Sequence, residues 1–180
     1  MLQYIIFNVL AKHNLLESCP TWYSKILIKP AYQNEDIEVY WDIPEYSGHE
    51  EEDERKTLRP DGKVILRRQK KIFVLEMSIP WIDNRQTKFE EKEEKYRNII
   101  QTIKLDHPTY SVKQLTFIMD CLGGYSAYLP KNLKMLGLTK LSIDKILFAT
   151  QKIVVTEAAR IINDFKVMTI TQHIIYNQLL

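Results

Sequence analysis

One segment, residues 59–81 (RPDGKVILRRQKKIFVLEMSIPW), constrains the fold of this chain more than any other. Residues 63–66 are predicted to form a short strand, residues 67–70 (RRQK) a polar turn, and residues 71–79 a second strand. Because two strands joined by so short a turn run antiparallel, the segment predicts a β-hairpin. The near-continuous apolar run in the second strand indicates a central position in a sheet.

Two carboxylates stand out in this hairpin. Asp61 lies just before the first strand, and Glu76 lies in the second strand on the face opposite Phe73, Leu75 and Met77. The turn sets the two acids nearly opposite one another, where paired Cβ atoms are roughly 4.5–5.5 Å apart. Carboxylates this close repel each other unless a cation lies between them, and Mg²⁺ prefers oxygen ligands of this kind.

An ordinary interpretation stays open beside the metal site, because two surface acids on a hairpin would show the same spacing. The surroundings of Glu76 count against this ordinary interpretation. A charge among apolar neighbours is expected to be partly buried, and a buried carboxylate requires a partner or a metal.

The rest of the chain predicts an α/β sandwich. The apolar periodicity indicates a helix over 2–17, a strand over 36–43, the hairpin, a helix over 85–105, a strand over 110–119, and helices over 126–136 and 140–164. The apolar stripe of the helix predicted over 85–105 comprises Phe89, Tyr96, Ile99, Ile100 and Ile103. A mostly antiparallel three-stranded sheet, a crossover helix and a fourth strand account for this order. The acidic run at 50–54 is expected to be an exposed loop.

Composition excludes some classes of protein. Lys and Arg number 25 against 23 Asp and Glu, so the net charge of +2 carries no general signature of nucleic-acid binding. The separation of Cys19 from Cys121 does not fit a zinc ribbon or a disulfide scaffold, which favours a reducing, intracellular compartment. No apolar run approaches the roughly 18–20 residues that span a bilayer, so no membrane segment is expected.

Several ordered motifs resemble a known nuclease superfamily. Pro60-Asp61 followed by Glu76 resembles the PD-(D/E)xK core. More narrowly, residues 59–138 resemble the restriction-endonuclease-like domains at the C-terminal end of R2-type non-LTR retrotransposon reverse transcriptase polyproteins. The motifs of this narrower resemblance are RPD at 59–61, the turn after Glu76, the KEEKY of 92–96, the glycine loop of 117–124 and the LKML of 133–136.

This resemblance implies a PD-(D/E)xK-like sandwich over residues 1–138, with its core at about 36–138, followed by a helical extension over 139–180. It implies a DNA endonuclease that nicks its target during retrotransposition in the nucleus. Because the chain starts inside a predicted helix, it is expected to be a detached piece of a longer polyprotein.

The resemblance also implies roles for individual residues. Asp61 and Glu76 would hold Mg²⁺ or Mn²⁺, with no small-molecule cofactor. Ser78 stands where the superfamily usually has its lysine, so Lys92 or Lys95 of the following helix would supply the ammonium group. The DNA backbone would be contacted by three arginines, namely Arg59, Arg67 and Arg68.

Two other functions stay open. The first is a catalytically inactive remnant of the same fold that binds nucleic acid. The second is a helical module in which the hairpin is a scaffold and the C-terminal helices bind a protein partner.

Overall fold

The computed structural model describes residues 1–17, 20–21, 29–42 and 59–178, with side chains as far as residue 165. The helices are α1 (Leu2–Lys12), α2 (Arg85–Lys95), α3 (Arg97–Asp106), α4 (Tyr128–Met135) and α5 (Lys140–Gln178). The strands are β1 (Ala31–Gln33), β2 (Ile37–Trp41), β3 (Gly62–Leu66), β4 (Lys71–Ser78) and β5 (Ser111–Ile118). A short 3-10 turn, Ile82–Asn84, precedes α2.

The strands form one mixed five-stranded sheet in the order β1-β2-β3-β4-β5. Neighbours from β1 to β4 are antiparallel, whereas β4 and β5 are parallel and are connected through α2 and α3. The predicted α/β class, the hairpin and the crossover before the last strand are confirmed. Strand β1 was not predicted, because its three residues are largely exposed and carry no apolar alternation.

One face of the sheet is apolar and holds the larger core. Strand alternation puts Phe73, Leu75 and Met77 of β4 on this face, as predicted, with Leu115 and Phe117 of β5 beside them. Helices α1, α4 and the N-terminal part of α5 cover it. Their buried side chains are Leu2, Ile5, Ile6, Phe7, Val9, Leu10, Leu129, Leu133, Ile143, Ile146, Leu147 and Val154.

The opposite face is apolar only near the hairpin turn. There Ile72 and Val74 pack beneath Tyr96, Ile99 and Ile103. Farther along the same strands the face carries two buried polar side chains, Glu76 and Thr116, which pair in the β4–β5 register. The change from apolar to polar along this face therefore marks where chemistry is possible.

The helix predicted over 85–105 is divided at Tyr96. Tyr96 has non-helical backbone angles (φ −101°, ψ 8°) and its side chain is buried in the second core. Helix α2 has no fully buried residue, whereas α3 buries Ile99 and Ile103. Phe89 does not join this core, because its ring stacks on Tyr128 with centroids 5.5 Å apart.

The first and last helices also differ from prediction. Helix α1 ends at Lys12, where Asn14 follows with a positive φ of 56°, so the helix is shorter than the predicted 2–17. Helix α5 continues to Gln178 instead of ending near residue 164. The first part of α5 packs in the same core as α1. The domain boundary at residue 138 therefore stays a prediction.

Some predictions fall outside the described residues, namely those for the acidic run at 50–54 and for Cys19. Within the described part of the chain, no helix combines the length and the apolar character that crossing a membrane requires.

Candidate active site at the ends of β3 and β4

The hairpin register brings Asp61 beside Glu76. Gly62 pairs with Leu75, so the next position outward sets Asp61 opposite Glu76, as the sequence predicts. The backbone N–H of Asp61 donates to Glu76 Oε2 at 3.4 Å, and the backbone N–H of Met77 donates to Asp61 Oδ2 at 2.8 Å. Each carboxylate is thereby tied to the other strand of the hairpin.

Gly62 permits close packing next to this pair. A Cβ atom at residue 62 would lie 3.1 Å from the carbonyl oxygen of Tyr40 on the neighbouring strand, which is tighter than an ordinary contact. The absence of a side chain therefore lets β2 approach β3 directly beside Asp61.

Glu76 is almost completely buried, with 2% of its surface exposed. Its carboxylate forms an ion pair with the ammonium group of Lys92, which extends from α2. Lys95 is exposed, and its Nζ lies 5.0 Å from the centre of the Tyr96 ring. Of the two lysines proposed from the sequence, Lys92 is the one that the structure brings to the carboxylates.

The two carboxylates, Asp61 and Glu76, put negative charge in a partly buried site. Burial raises the pKa of Asp61 above its usual value, and the neighbouring charge of Glu76 raises it further. The N–H of Met77 and the charge of Lys92 act in the opposite direction. A second cation near Asp61 would therefore be favourable.

Tyr96 completes the wall of the site. Its hydroxyl donates to the carbonyl oxygen of Arg59 at 3.1 Å. Burial, together with the charges of Glu76 and Asp61, raises the pKa of Tyr96, so it stays a neutral hydrogen-bond donor. The prediction that Tyr96 packs the helix onto the sheet is confirmed, and its hydroxyl in addition faces the two acids.

Three polar residues beside the site were missed by the sequence reasoning. Thr116 is buried, and its hydroxyl donates to Glu93 at 2.9 Å. The amide of Gln114 donates both to Thr116 at 3.1 Å and to the carbonyl oxygen of Lys92 at 2.9 Å. These bonds fasten the Lys92 segment of α2 to β5. The available signal was Thr116, a polar residue within the apolar run 115–118, with Gln114 two residues before it on the same face of the strand.

The three arginines lie at two different ends of the hairpin. Arg59 is at the site end, where it pairs with Asp42 at 2.6 Å. Arg67 pairs with Glu38 at 2.9 Å, and Arg68 pairs with Asp36. These last two lie at the turn, which the rise of a strand puts roughly 20 Å from Asp61. The resemblance implies DNA contact for all three, and the structure separates Arg59 from the other two.

The glycine loop after β5 has a structural explanation. The buried carboxylate of Asp120 accepts hydrogen bonds from the N–H groups of Leu122 and Gly124, both at 2.9 Å. A Cβ atom at residue 124 would lie 2.4 Å from Asp120 Oδ2, so any other residue would displace this hydrogen-bonded carboxylate. The apolar positions of the following motif, Leu133 and Leu136, are buried in the larger core.

Among the described residues, no group of three or more His, Cys, Asp and Glu side chains could hold a metal ion. The donor set at this site is therefore the pair Asp61 and Glu76. Two carboxylates fit the mode in which Mg²⁺ is held by one or two protein oxygens together with water and substrate phosphate. The raised pKa of Asp61 fits it too, because added positive charge would offset the burial and the neighbouring charge of Glu76 that raise this pKa.

No protein-family model matches the chain, and comparison with curated proteins and with solved structures found no match. The geometry of the site therefore carries the functional argument.

Proposed function

We propose that the chain is a retrotransposon-derived endonuclease-like domain that hydrolyses DNA phosphodiester bonds with a divalent metal in the nucleus. The single observation that carries the proposal is the meeting of Asp61, Glu76 and Lys92. These residues come from the segment just before β3, from β4 and from α2, and the sequence resemblance implies a common role for them.

Each residue has a chemically distinct task in this proposal. Asp61 and Glu76 hold Mg²⁺ or Mn²⁺, which when bound polarises a phosphate and lowers the pKa of water. Lys92 offsets the charge of the buried Glu76 and supplies an ammonium group that can orient the attacking water or stabilise charge on the phosphate. Tyr96 keeps its proton and holds the Arg59 backbone, which positions Asp61 two residues later.

Binding of the DNA backbone is proposed for Arg59, since its side chain is half exposed at the site end of the hairpin. To contact DNA, the Arg59 side chain would have to break its ion pair with Asp42 and bind a phosphate instead. Arg67 and Arg68 would contact DNA only if the duplex extended along the whole hairpin. Contacts of this kind depend on salt and carry no base specificity.

The decisive experiment measures nicking of supercoiled plasmid by the purified chain with Mg²⁺ or Mn²⁺. Asp61→Ala and Glu76→Ala should each abolish nicking. Lys92→Ala should reduce the rate about 10²–10³-fold, as the loss of a charge-stabilising group does in other enzymes. Lys95→Ala is the matched control and should retain nearly full activity. Equal nicking by all five proteins would sink the proposal, since a contaminating nuclease would then account for it.

A second function has an observation of its own. Glu76 is already paired with Lys92, so its buried charge is balanced without any metal. A remnant that has lost catalysis and keeps the fold, binding nucleic acid or a protein partner, would show this arrangement. Thermal melting separates the two functions. If Mn²⁺ raises the melting temperature of the wild type but not of Asp61→Ala, the site binds metal, and no shift in either protein favours the remnant.

A further inference from the structure

Strand β5 forms one edge of the sheet, and among the described residues no strand lies beyond it. The backbone N–H of Ser111 donates to the carbonyl oxygen of Lys70 at 2.8 Å, so Ser111 directs its backbone groups toward β4. Successive residues of a strand turn these groups to opposite sides. The N–H and C=O groups of Val112 and Gln114 therefore point away from β4, as on any sheet edge.

Helix α4 closes this edge at one end only. The side-chain amide of Asn132 donates to the carbonyl oxygen of Thr116 at 2.9 Å, which confirms that the even-numbered residues of β5 point outward. Nearer the start of the strand, Lys113 is exposed. The open part of the edge therefore offers two donors and two acceptors, those of the Val112 and Gln114 backbone.

A groove of about 390 Å³ lies between α3 and this open edge. On the α3 side it is lined by Arg97, Ile100 and Lys104, which share one face of the helix. On the β5 side it is lined by Val112 and Gln114. Because the side chain of Val112 packs in the second core, its backbone is the part available to the groove.

The groove is basic. It is lined by three cations, Arg97, Lys104 and Lys113, against one acid, Glu93. Arg97 forms an exposed ion pair with Glu94, and such a pair is readily exchanged. In the part of the chain that the structure describes, no acid forms an ion pair with Lys104 or Lys113. Two ammonium groups are therefore available to an acidic partner.

We propose that the edge of β5 binds an acidic, extended segment of a partner protein, which adds to the five-stranded sheet as a further strand. The backbone of the segment pairs with the outward groups of Val112 and Gln114, and its acidic side chains meet the cations of the groove. This inference is independent of the nuclease proposal, since it uses none of the residues at the ends of β3 and β4.

The spacing of the α3 side chains indicates the pattern of the segment. Arg97 and Lys104 are seven residues apart, which is roughly 10 Å along a helix, and Ile100 lies between them. In a strand, side chains on the same face are roughly 7 Å apart. An acid, an apolar residue and a second acid at alternate positions therefore match these three side chains in order, and the long stems of Arg97 and Lys104 cover the difference in length.

Two other occupants of the edge fit these features less well. A nucleic-acid backbone offers phosphate oxygens, which accept hydrogen bonds and leave the C=O groups of Val112 and Gln114 without donors. A second copy of β5, paired antiparallel with Val112 opposite Gln114, would set its Lys113 opposite the first Lys113. Like charges in that position are destabilising, whereas an acidic strand meets Lys113 with the opposite charge.

The first experiment measures binding of the full chain to a fluorescein-labelled peptide, Thr-Glu-Thr-Val-Thr-Glu-Thr, by fluorescence anisotropy. The wild type should bind it saturably. Lys104→Glu and Lys113→Glu should each weaken binding roughly 10-fold, because each replaces an attraction by a repulsion. Lys145→Glu is the matched control, since Lys145 is exposed on α5 outside the groove and its change alters the net charge equally.

The second experiment tests the main-chain pairing. Amide hydrogen exchange at Val112 and Gln114 should slow roughly 10-fold or more when the peptide is bound, because hydrogen-bonded amides are protected. Two further peptides carry N-methyl groups at alternate residues, one at the odd positions and the other at the even positions. Only one of them should lose binding, since only one set of peptide N–H groups faces β5.

The absence of saturable peptide binding by the wild type would overturn the proposal, as would equal effects of Lys113→Glu and Lys145→Glu. Equal binding of the two N-methylated peptides, or displacement of the peptide by a thymidine oligonucleotide, would show that the groove recognises negative charge alone. Self-association of the wild type that the peptide reverses would assign the edge to a second copy of the chain, and the proposal would then be wrong.

Discussion

The two faces of the sheet are made by the same strands and differ in what they bury. On one face the side chains of β4 remain apolar from Phe73 to Met77, beneath α1, α4 and α5. On the other face the apolar run ends at Val74, and the next side chain on that face is the buried Glu76. The first face gains stability along its whole length, whereas the second accepts two neighbouring acids at one end.

This difference indicates a division of labour between the faces. A carboxylate pair with a raised pKa at Asp61 opposes folding, so the fold tolerates it only because the remaining burial is favourable. Changes on the apolar face should therefore alter stability and leave the chemistry of the site unchanged. Changes at the polar end should alter the charge balance of the site and the proposed activity, in some cases with a gain in stability.

The largest effect is expected from the apolar face. Phe117→Ala should lower the free energy of unfolding by about 3–5 kcal/mol, because Phe117 is completely buried and its loss leaves a cavity. Phe148→Ala is the control, since Phe148 is 63% exposed, and it should change stability by less than about 0.5 kcal/mol. Urea denaturation measures both, and similar losses would contradict the assigned core.

The next largest effect is expected from Lys92→Met, which leaves the buried Glu76 without its cation. The loss should be about 2 kcal/mol, below the usual value for a buried pair because Lys92 is 24% exposed. Lys95→Met on the same helix should cost less than about 0.5 kcal/mol, since Lys95 is exposed. If the two variants unfold at the same urea concentration, Lys92 does not support Glu76 in solution.

A double variant should recover part of this loss. With Glu76→Gln and Lys92→Met combined, no buried charge is left without a partner. The destabilisation should then fall short of the sum of the single changes by about 1–2 kcal/mol. The same protein should not nick DNA. Strict additivity in the double-mutant cycle would show that the two residues do not interact.

The smallest effect concerns the pH dependence of stability. The pKa of Asp61 is raised in the folded state, so the native chain binds that proton more tightly than the unfolded chain does. Stability from this group is present below its usual value of 3.8 and is lost as the pH rises through the raised pKa. Asp61→Asn keeps an acceptor for the Met77 N–H and lacks this loss.

The melting temperature of Asp61→Asn relative to wild type should therefore increase between pH 3.8 and neutrality, by a few degrees at most. Differential scanning calorimetry at several pH values provides the comparison. A difference that stays constant across this range would mean that Asp61 does not titrate as its surroundings indicate.

The hairpin illustrates how much of the site the sequence could predict. Strand alternation assigned Glu76 to the face opposite Phe73, Leu75 and Met77, and the short turn fixed the register that brings Asp61 beside it. Side-chain alternation and hairpin register are local properties of β-strands, so they can be predicted without knowing the rest of the fold.

The contribution of α2 could not be predicted in the same way. Lys92 and Lys95 are three residues apart and are nearly equivalent in a helical pattern. The structure distinguishes them because the chain breaks its helix at Tyr96 and because Gln114 and Thr116 of β5 hold the Lys92 segment. These contacts join residues that are far apart in sequence.

The sequence by itself determined the α/β class, the hairpin, the faces of its strands and the pairing of Asp61 with Glu76. Periodicity and turn length act over a few residues, and their outcome is the same wherever the hairpin lies. The tertiary structure alone decided that Lys92 reaches Glu76, that Arg67 and Arg68 lie at the far end, and that the first part of α5 packs in the same core as α1. Those outcomes depend on how the crossover helices and the long terminal helix pack against the sheet. Contacts between side chains that are far apart in sequence determine that packing.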